Sequence, residues 1–176
     1  MVHSNISSEG GPILIGDADA VRRWRGIEEG GGDYQKSCDA VVRNGIISLA
    51  EDLAIWDVGG PGTAFIWRER DLFAVRTWSD GALDIGACGK LVAKALFCPS
   101  SLQISVPSGV LVLMWAPEDG STIRSFCGDY GVPDGDFSMD GTVHFEKMRA
   151  CTCDVSLAVG EIDGIEFNAI RFQSKG

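Results

Sequence analysis

Residues 72–78, LFAVRTW, alternate along the chain. Phe73, Val75 and Thr77 fall on one side, and Ala74, Arg76 and Trp78 on the other. This period of two predicts a strand. The apolar runs GIISLA (45–50) and LAIWDV (53–58) predict two more, with Glu51 and Asp52 between them as the tight turn of a hairpin. GGPILIG (10–16) predicts a short strand behind a Gly/Pro turn, and DADAVRRW (17–24) one or two helical turns.

The second half of the chain is richer in strands. LQISV and VLVLMWA lie on either side of the turn PSG, and the second run is apolar on both faces, which suits a central strand. TVHFEKM, CDVSLAV and IEFNAIRF follow, separated by Gly/Asp turns. In IEFNAIRF the parity of Ile165 and Phe167 differs from that of Ile170 and Phe172, so a bulge or twist is expected there.

The strongest helical pattern begins at Ser79 or Asp80, either of which caps a first turn. It places Ile85, Cys88, Val92, Ala95 and Leu96 on one face and stops at Pro99. Gly86 and Gly89 each cost this helix about 1 kcal/mol, a cost that close approach to a sheet would explain. The expected fold is α+β: a mainly antiparallel twisted sheet, one substantial helix, and long Gly-rich loops at 28–32 and 128–140. The 176 residues fit a single domain, 1–176, with loose polar ends at 1–8 and 174–176.

Composition narrows the functional classes. The formal charge is −10 and the isoelectric point about 4.5, which disfavours binding to nucleic-acid phosphates and suits rapid capture of a basic partner. Residues 1–60 carry −5, residues 61–100 carry +1 and residues 101–176 carry −6. No targeting segment or membrane span is visible, so a cytoplasmic protein without a membrane partner is expected. The six cysteines are then reduced thiols, mostly buried.

Candidate chemistry is sparse. Of the two histidines, His144 is flanked in its strand by Val143 and Phe145, whose side chains take the opposite face. A hydrolase or transferase would need His144 with a nearby Cys or Asp. Cys151 and Cys153 share a strand face but lack the C-x2-C spacing of zinc knuckles. With His144 they make a conceivable three-ligand set, yet core packing is the simpler account and no metal or cofactor is expected. Residues 129–140 gather four aspartates without the order of a calcium loop. EEGGGDYQKSCDA (28–40) looks like a phosphate cradle. Its flanking carboxylates would repel an anion, and the lysine and hydroxyl of a P-loop are missing. Gly30 to Gly32 are better read as a turn with positive φ, and Asp33 as a helix cap.

The order of these features resembles the immunity protein 21 family of bacterial polymorphic toxin systems. GGP at 10–12 is followed by the W-x-G of Trp24 and Gly26, by GDYQKSC (32–38), and by GGPGTAF (59–65). The match is close over about the first 95 residues. The resemblance implies an intracellular protein that binds and neutralises a cognate toxin domain, with no catalysis and no cofactor. Steric occlusion of the toxin, aided by attraction between the acidic protein and a basic toxin surface, is the expected mechanism. Exposed acids with neighbouring aromatics are the expected contacts: Glu28, Glu29, Asp33 and Tyr34, then Asp129, Tyr130, Asp134 and Asp136. A different class, a small-molecule-binding sheet domain, would use Trp56, Trp67, Trp78 and Trp115.

Overall fold

The computed structural model describes residues 3–8, 10–28, 32–40, 45–57, 60, 62–78, 85–120, 123, 137–139 and 141–175. The strands are β1 (His3–Ser8), β2 (Ile13–Asp17), β3 (Ile46–Ala50), β4 (Leu53–Trp56), β5 (Gly62–Arg68), β6 (Leu72–Trp78), β7 (Cys98–Val106), β8 (Val110–Trp115), β9 (Phe137–Met139), β10 (Val143–Lys147), β11 (Cys151–Ile162) and β12 (Ile165–Lys175). The helices are α1 (Ala18–Val21), α2 (Asp33–Ala40) and α3 (Ile85–Lys94).

The fold is mostly antiparallel sheet with few helices, and the strands form two sheets where the sequence suggests one. The first has the order β1-β5-β6-β12-β11-β7, the second β3-β4-β2-β8-β10-β9. The sheets face each other across a shared core. Ile6, Ile66, Ala74, Ile170 and Phe172 from the first meet Ile13, Ile15, Trp56, Leu111 and Leu113 from the second. Neighbouring strands of a sheet are usually neighbours in sequence, but the turn between β7 and β8 instead carries the chain from one sheet to the other.

Outer faces are covered too. Leu91 and Val92 of α3 pack on Trp67, Val75, Phe167 and Ala169, while α1 and Trp24 pack on Leu14, Val112, Met114 and Phe145. This explains the change of parity in β12. Phe167 and Ala169 face α3, and Ile170 and Phe172 face the core between the sheets. The β11–β12 register runs unbroken, and the irregularity lies between β11 and β7, at Asp154 and Ser156.

Several expectations change. The described parts of the ends are in strands: residues 3–8 form β1, which pairs with β5 over six residues and buries Ile6 completely, and Ser174 and Lys175 pair with β11. One isoleucine delivered to the core is enough to fix a short edge strand. The expected start of α3 at Ser79 or Asp80 lies outside the described residues. The helix ends at Lys94, so Leu96 is 89 % exposed, and Leu91 occupies the buried face in its place. Pro99 stands within β7, an edge strand, where its missing N–H costs no ladder bond. Of the five described cysteines only Cys88 and Cys153 are buried, because Cys98 lies on that edge and Cys38 and Cys151 are half-covered.

Candidate functional site

The motifs GGP, W-x-G and GDY converge at one corner, where α1 leads into α2. Asp17 caps α1 by accepting the Asp19 N–H at 2.9 Å, and its other oxygen accepts the Ser108 N–H at 2.8 Å. Trp24 is buried and donates its indole N–H to the Ala116 carbonyl at 2.7 Å. The chain then turns at Gly26, with φ +34°, against the carbonyls of Pro117 and Glu118. Gly32 lies so close to the Gly26 carbonyl that a Cβ would overlap it, and that carbonyl accepts the Tyr34 N–H at 3.2 Å. Close backbone approach is what requires glycine at position 32; Gly30 and Gly31 lie outside the described residues.

Asp33 does not cap as the sequence suggests. It is the first residue of α2, and its carboxylate accepts the backbone N–H of Arg25 at 3.1 Å. The Arg25 guanidinium lies 3.7 Å from both the Glu28 and Asp33 carboxylates. These acids thus share one cation, and the three-residue spacing of Arg25 and Glu28 is the sequence signal of that pair. Tyr34 is half-buried with its hydroxyl against Gly11. Burial, and then the neighbouring Cys38, pushes its phenol up to about 12.

Two clefts flank the first turn of α2. One, of about 360 Å³, is lined by Trp24, Asp33, Ser37, Leu49 and Asp52. The other, of about 270 Å³, is lined by Ile27, Glu28, Gly32, Tyr34 and Gln35. Ile27 is 67 % exposed beside Glu28, an apolar side chain held at an acidic edge. The other expected contacts, Glu29, Asp129, Tyr130, Asp134 and Asp136, lie outside the described residues.

His144 points between the sheets, opposite to Val143 and Phe145. Its Nδ1 is 2.5 Å from Ser4 Oγ and its Nε2 is 3.3 Å from a Glu146 oxygen. The other Glu146 oxygen is 2.6 Å from Arg68 Nη1. The order Ser–His–carboxylate is that of a catalytic triad, but His144 is 1 % exposed. Neither Ser4 nor His144 lines the clefts at α2, beneath α3 or beside Met148. The chain Ser4–His144–Glu146–Arg68 is a polar strut joining the two sheets. Beside His144 stand Ser4 and Glu146, where a hydrolase or transferase reading would need a cysteine or aspartate.

Beneath α3 lies a third cleft, of about 470 Å³, walled by Trp67, Phe73, Phe97, Gly89 and Val92, with Lys90 among its lining residues. The rings of Trp67 and Phe73 are 5.1 Å apart, and those of Phe73 and Phe97 5.8 Å. Trp56 donates its indole N–H to Asn168 at 3.0 Å and Trp115 donates to Gly10 at 2.6 Å. Among the described residues, the buried Trp67 N–H has no acceptor. The Trp78 side chain lies outside the described set.

Among the described residues, no group of three or more His, Cys, Asp and Glu is placed to hold a metal, and no helix is long and apolar enough to cross a membrane. No protein-family model matches the chain, and no curated protein or solved structure matches it either.

Proposed function

We propose that the chain is an immunity protein that captures a bacterial toxin domain with a basic surface and blocks it sterically, in the cytoplasm and without turnover of its own. The observation that carries this reading is the convergence of GGP (10–12), W-x-G and GDY, three of the four motifs on which the family resemblance rests. Gly11 packs on Tyr34, Gly32 packs on Gly26, and the Gly26 carbonyl accepts the Tyr34 N–H, so the three motifs form one structural unit. That unit presents Ile27 and Glu28 on an outer edge of a protein whose charge is −10. An exposed apolar side chain beside an acid, on a protein of net negative charge, combines contact energy with electrostatic steering. The test is to identify the genes that flank the one encoding this chain and to co-express the chain with the C-terminal domain of a flanking polymorphic-toxin gene. Restored growth is the expected result, and continued killing at full expression of this chain refutes the reading.

A second reading, a small-molecule-binding sheet domain, is favoured by the aromatic-walled cleft beneath α3, where Trp67, Phe73 and Phe97 stand with Lys90. A planar aromatic carboxylate would lie against these rings while pairing with Lys90. Titration with 1-naphthoate should quench tryptophan fluorescence saturably, and Gly89→Phe, which fills the cleft, should abolish the quenching. Quenching that persists in Gly89→Phe would place the ligand elsewhere.

A further inference from the structure

The thiols of Cys151 and Cys153 meet a third sulfur. Cys151 Sγ lies 3.8 Å from Cys153 Sγ and 3.7 Å from Met148 Sδ, and Cys153 Sγ lies 3.9 Å from the same thioether. The three sulfurs form a nearly equilateral triangle. The chain builds it locally. Cys151 and Cys153 are the first and third residues of β11 and so share a face. Met148 follows β10 directly and is pinned by its N–H, which donates to the Gly109 carbonyl at 2.9 Å. Cys153 is fully buried, whereas Cys151 and Met148 line an open cleft of about 440 Å³ with Arg68, Arg149 and Lys175. An ion therefore has an entry path to two of the three sulfurs.

The centre of such a triangle is about 2.2 Å from each corner, close to the ~2.3 Å of a metal–thiolate bond. A metal fits there without movement of either strand. Zinc would want a fourth ligand, and no described His, Asp or Glu completes such a set. Two thiolates and a thioether select a soft monovalent ion, and copper(I), a filled-shell ion, accepts three sulfurs in a plane.

We propose that Met148, Cys151 and Cys153 bind one copper(I) ion in a trigonal sulfur site. Copper enters already as the monovalent ion, so no oxidant or reductant takes part. Two S–H bonds break, two Cu–thiolate bonds and one Cu–thioether bond form, and two protons pass to the buffer. The loaded site carries a charge of −1, and the basic lining of the adjoining cleft, Arg68, Arg149 and Lys175, offsets it. The third ligand is Met148, whereas the conceivable set read from sequence would have used His144. The site is independent of the toxin reading, since it lies at the start of β11 and uses none of the residues of the α2 corner.

The experiment is anaerobic competition. Reduced full chain is added to copper(I), supplied as its acetonitrile complex and held by bicinchoninate, and loss of the coloured chelate is followed. One equivalent should transfer, and X-ray absorption should show three Cu–S distances of about 2.2–2.3 Å. Cys151→Ala and Cys153→Ala should abolish transfer. Met148→Leu conserves volume; it should weaken binding by about tenfold or more and leave two sulfurs around the metal. Cys38→Ser and Cys98→Ser, outside the triangle, should transfer copper normally. Urea midpoints establish which variants are folded. If a cysteine variant fails to fold, Met148→Leu decides the question. The proposal is overturned if the wild-type chain takes no copper from the chelator, if Met148→Leu binds with unchanged affinity and sulfur count, or if Cys98→Ser loses the metal.

Discussion

The hydroxyl of Tyr34 rests against the backbone of Gly11, where an added Cβ would stand 2.5 Å from the phenolic oxygen. The first glycine-rich turn of the chain and the first turn of α2 are therefore packed on each other. Gly11 also has φ +82°, a conformation that a side chain disfavours. Gly11→Ala should destabilise the protein by about 2–3 kcal/mol, from overpacking together with backbone strain. Adding Tyr34→Phe removes the clashing oxygen and should recover part of that loss, leaving the strain. Urea denaturation of the two single variants and the double variant measures the coupling. Strictly additive losses would mean that the two residues do not touch.

Asp33 and Glu28 flank the same arginine but should behave differently. Asp33→Ala removes the acceptor of the Arg25 N–H and should cost about 1 kcal/mol. Glu28→Ala breaks only an exposed ion pair and should change stability by less than about 0.5 kcal/mol. Glu28→Lys is then the clean probe of the toxin interface. It should slow association, most at low salt, and an association rate unchanged at low salt would move the interface away from this edge.

Asn168 and Trp56 form a buried polar pair between the sheets. The indole N–H donates to Asn168 Oδ1 at 3.0 Å, and the amide donates to the Asp57 carbonyl at 3.0 Å. Both side chains are fully buried. Asn168→Ala strands the indole N–H and leaves a void, so a loss of about 3 kcal/mol is expected. A thermal or urea midpoint within error of the wild type would show that the pair contributes nothing.

Stability should fall in alkali. Burial raises the Cys153 thiol from 9.0 to about 12, and the Tyr34 phenol rises from 10.0 to about 12 for the same leading reason. The folded state keeps both protons to higher pH than the unfolded state does. Between about pH 9 and pH 12 the unfolded chain therefore binds fewer protons, and unfolding becomes easier as pH rises. Cys153→Ala should flatten this slope from about pH 9 upward, and Tyr34→Phe only above about pH 10. An identical slope in both variants would contradict the assignment.

Gly89 makes no demand for glycine. A Cβ there meets only the Trp67 ring edge, at the ordinary contact distance of 3.8 Å. Gly89→Ala should stabilise α3 by roughly 0.5–1 kcal/mol. A loss of stability would instead reveal a close packing partner. The gain would also show that this glycine holds the cleft open at the expense of helix stability.

Elements whose pattern is carried by a few neighbouring residues were legible in the sequence. The alternation of residues 72–78 gives β6 with its observed bounds, and the apolar runs around Glu51 and Asp52 give the β3–β4 hairpin. The burial of VLVLMWA in β8 follows from its apolar residues on both faces. The shared face of Cys151 and Cys153 follows from the strand period alone. The candidate site was less legible. Its acids could be read, but not Arg25 lying between two of them or the turn of Asp33 back to the Arg25 backbone, because neither depends on local pattern.

Sequence by itself determined the kinds of element, most of their order, and the acidic charge, since propensity, periodicity and composition are local or additive properties. Tertiary structure decided what depends on distant segments meeting. It split the strands into two sheets and assigned the two faces of β12 to different cores. It recruited the polar segment 3–8 through Ile6 and turned His144 inward to Ser4 and Glu146. It also brought Met148 to the two thiols. Each of these follows from burying apolar area contributed by parts of the chain far apart in sequence, a term that no local window contains.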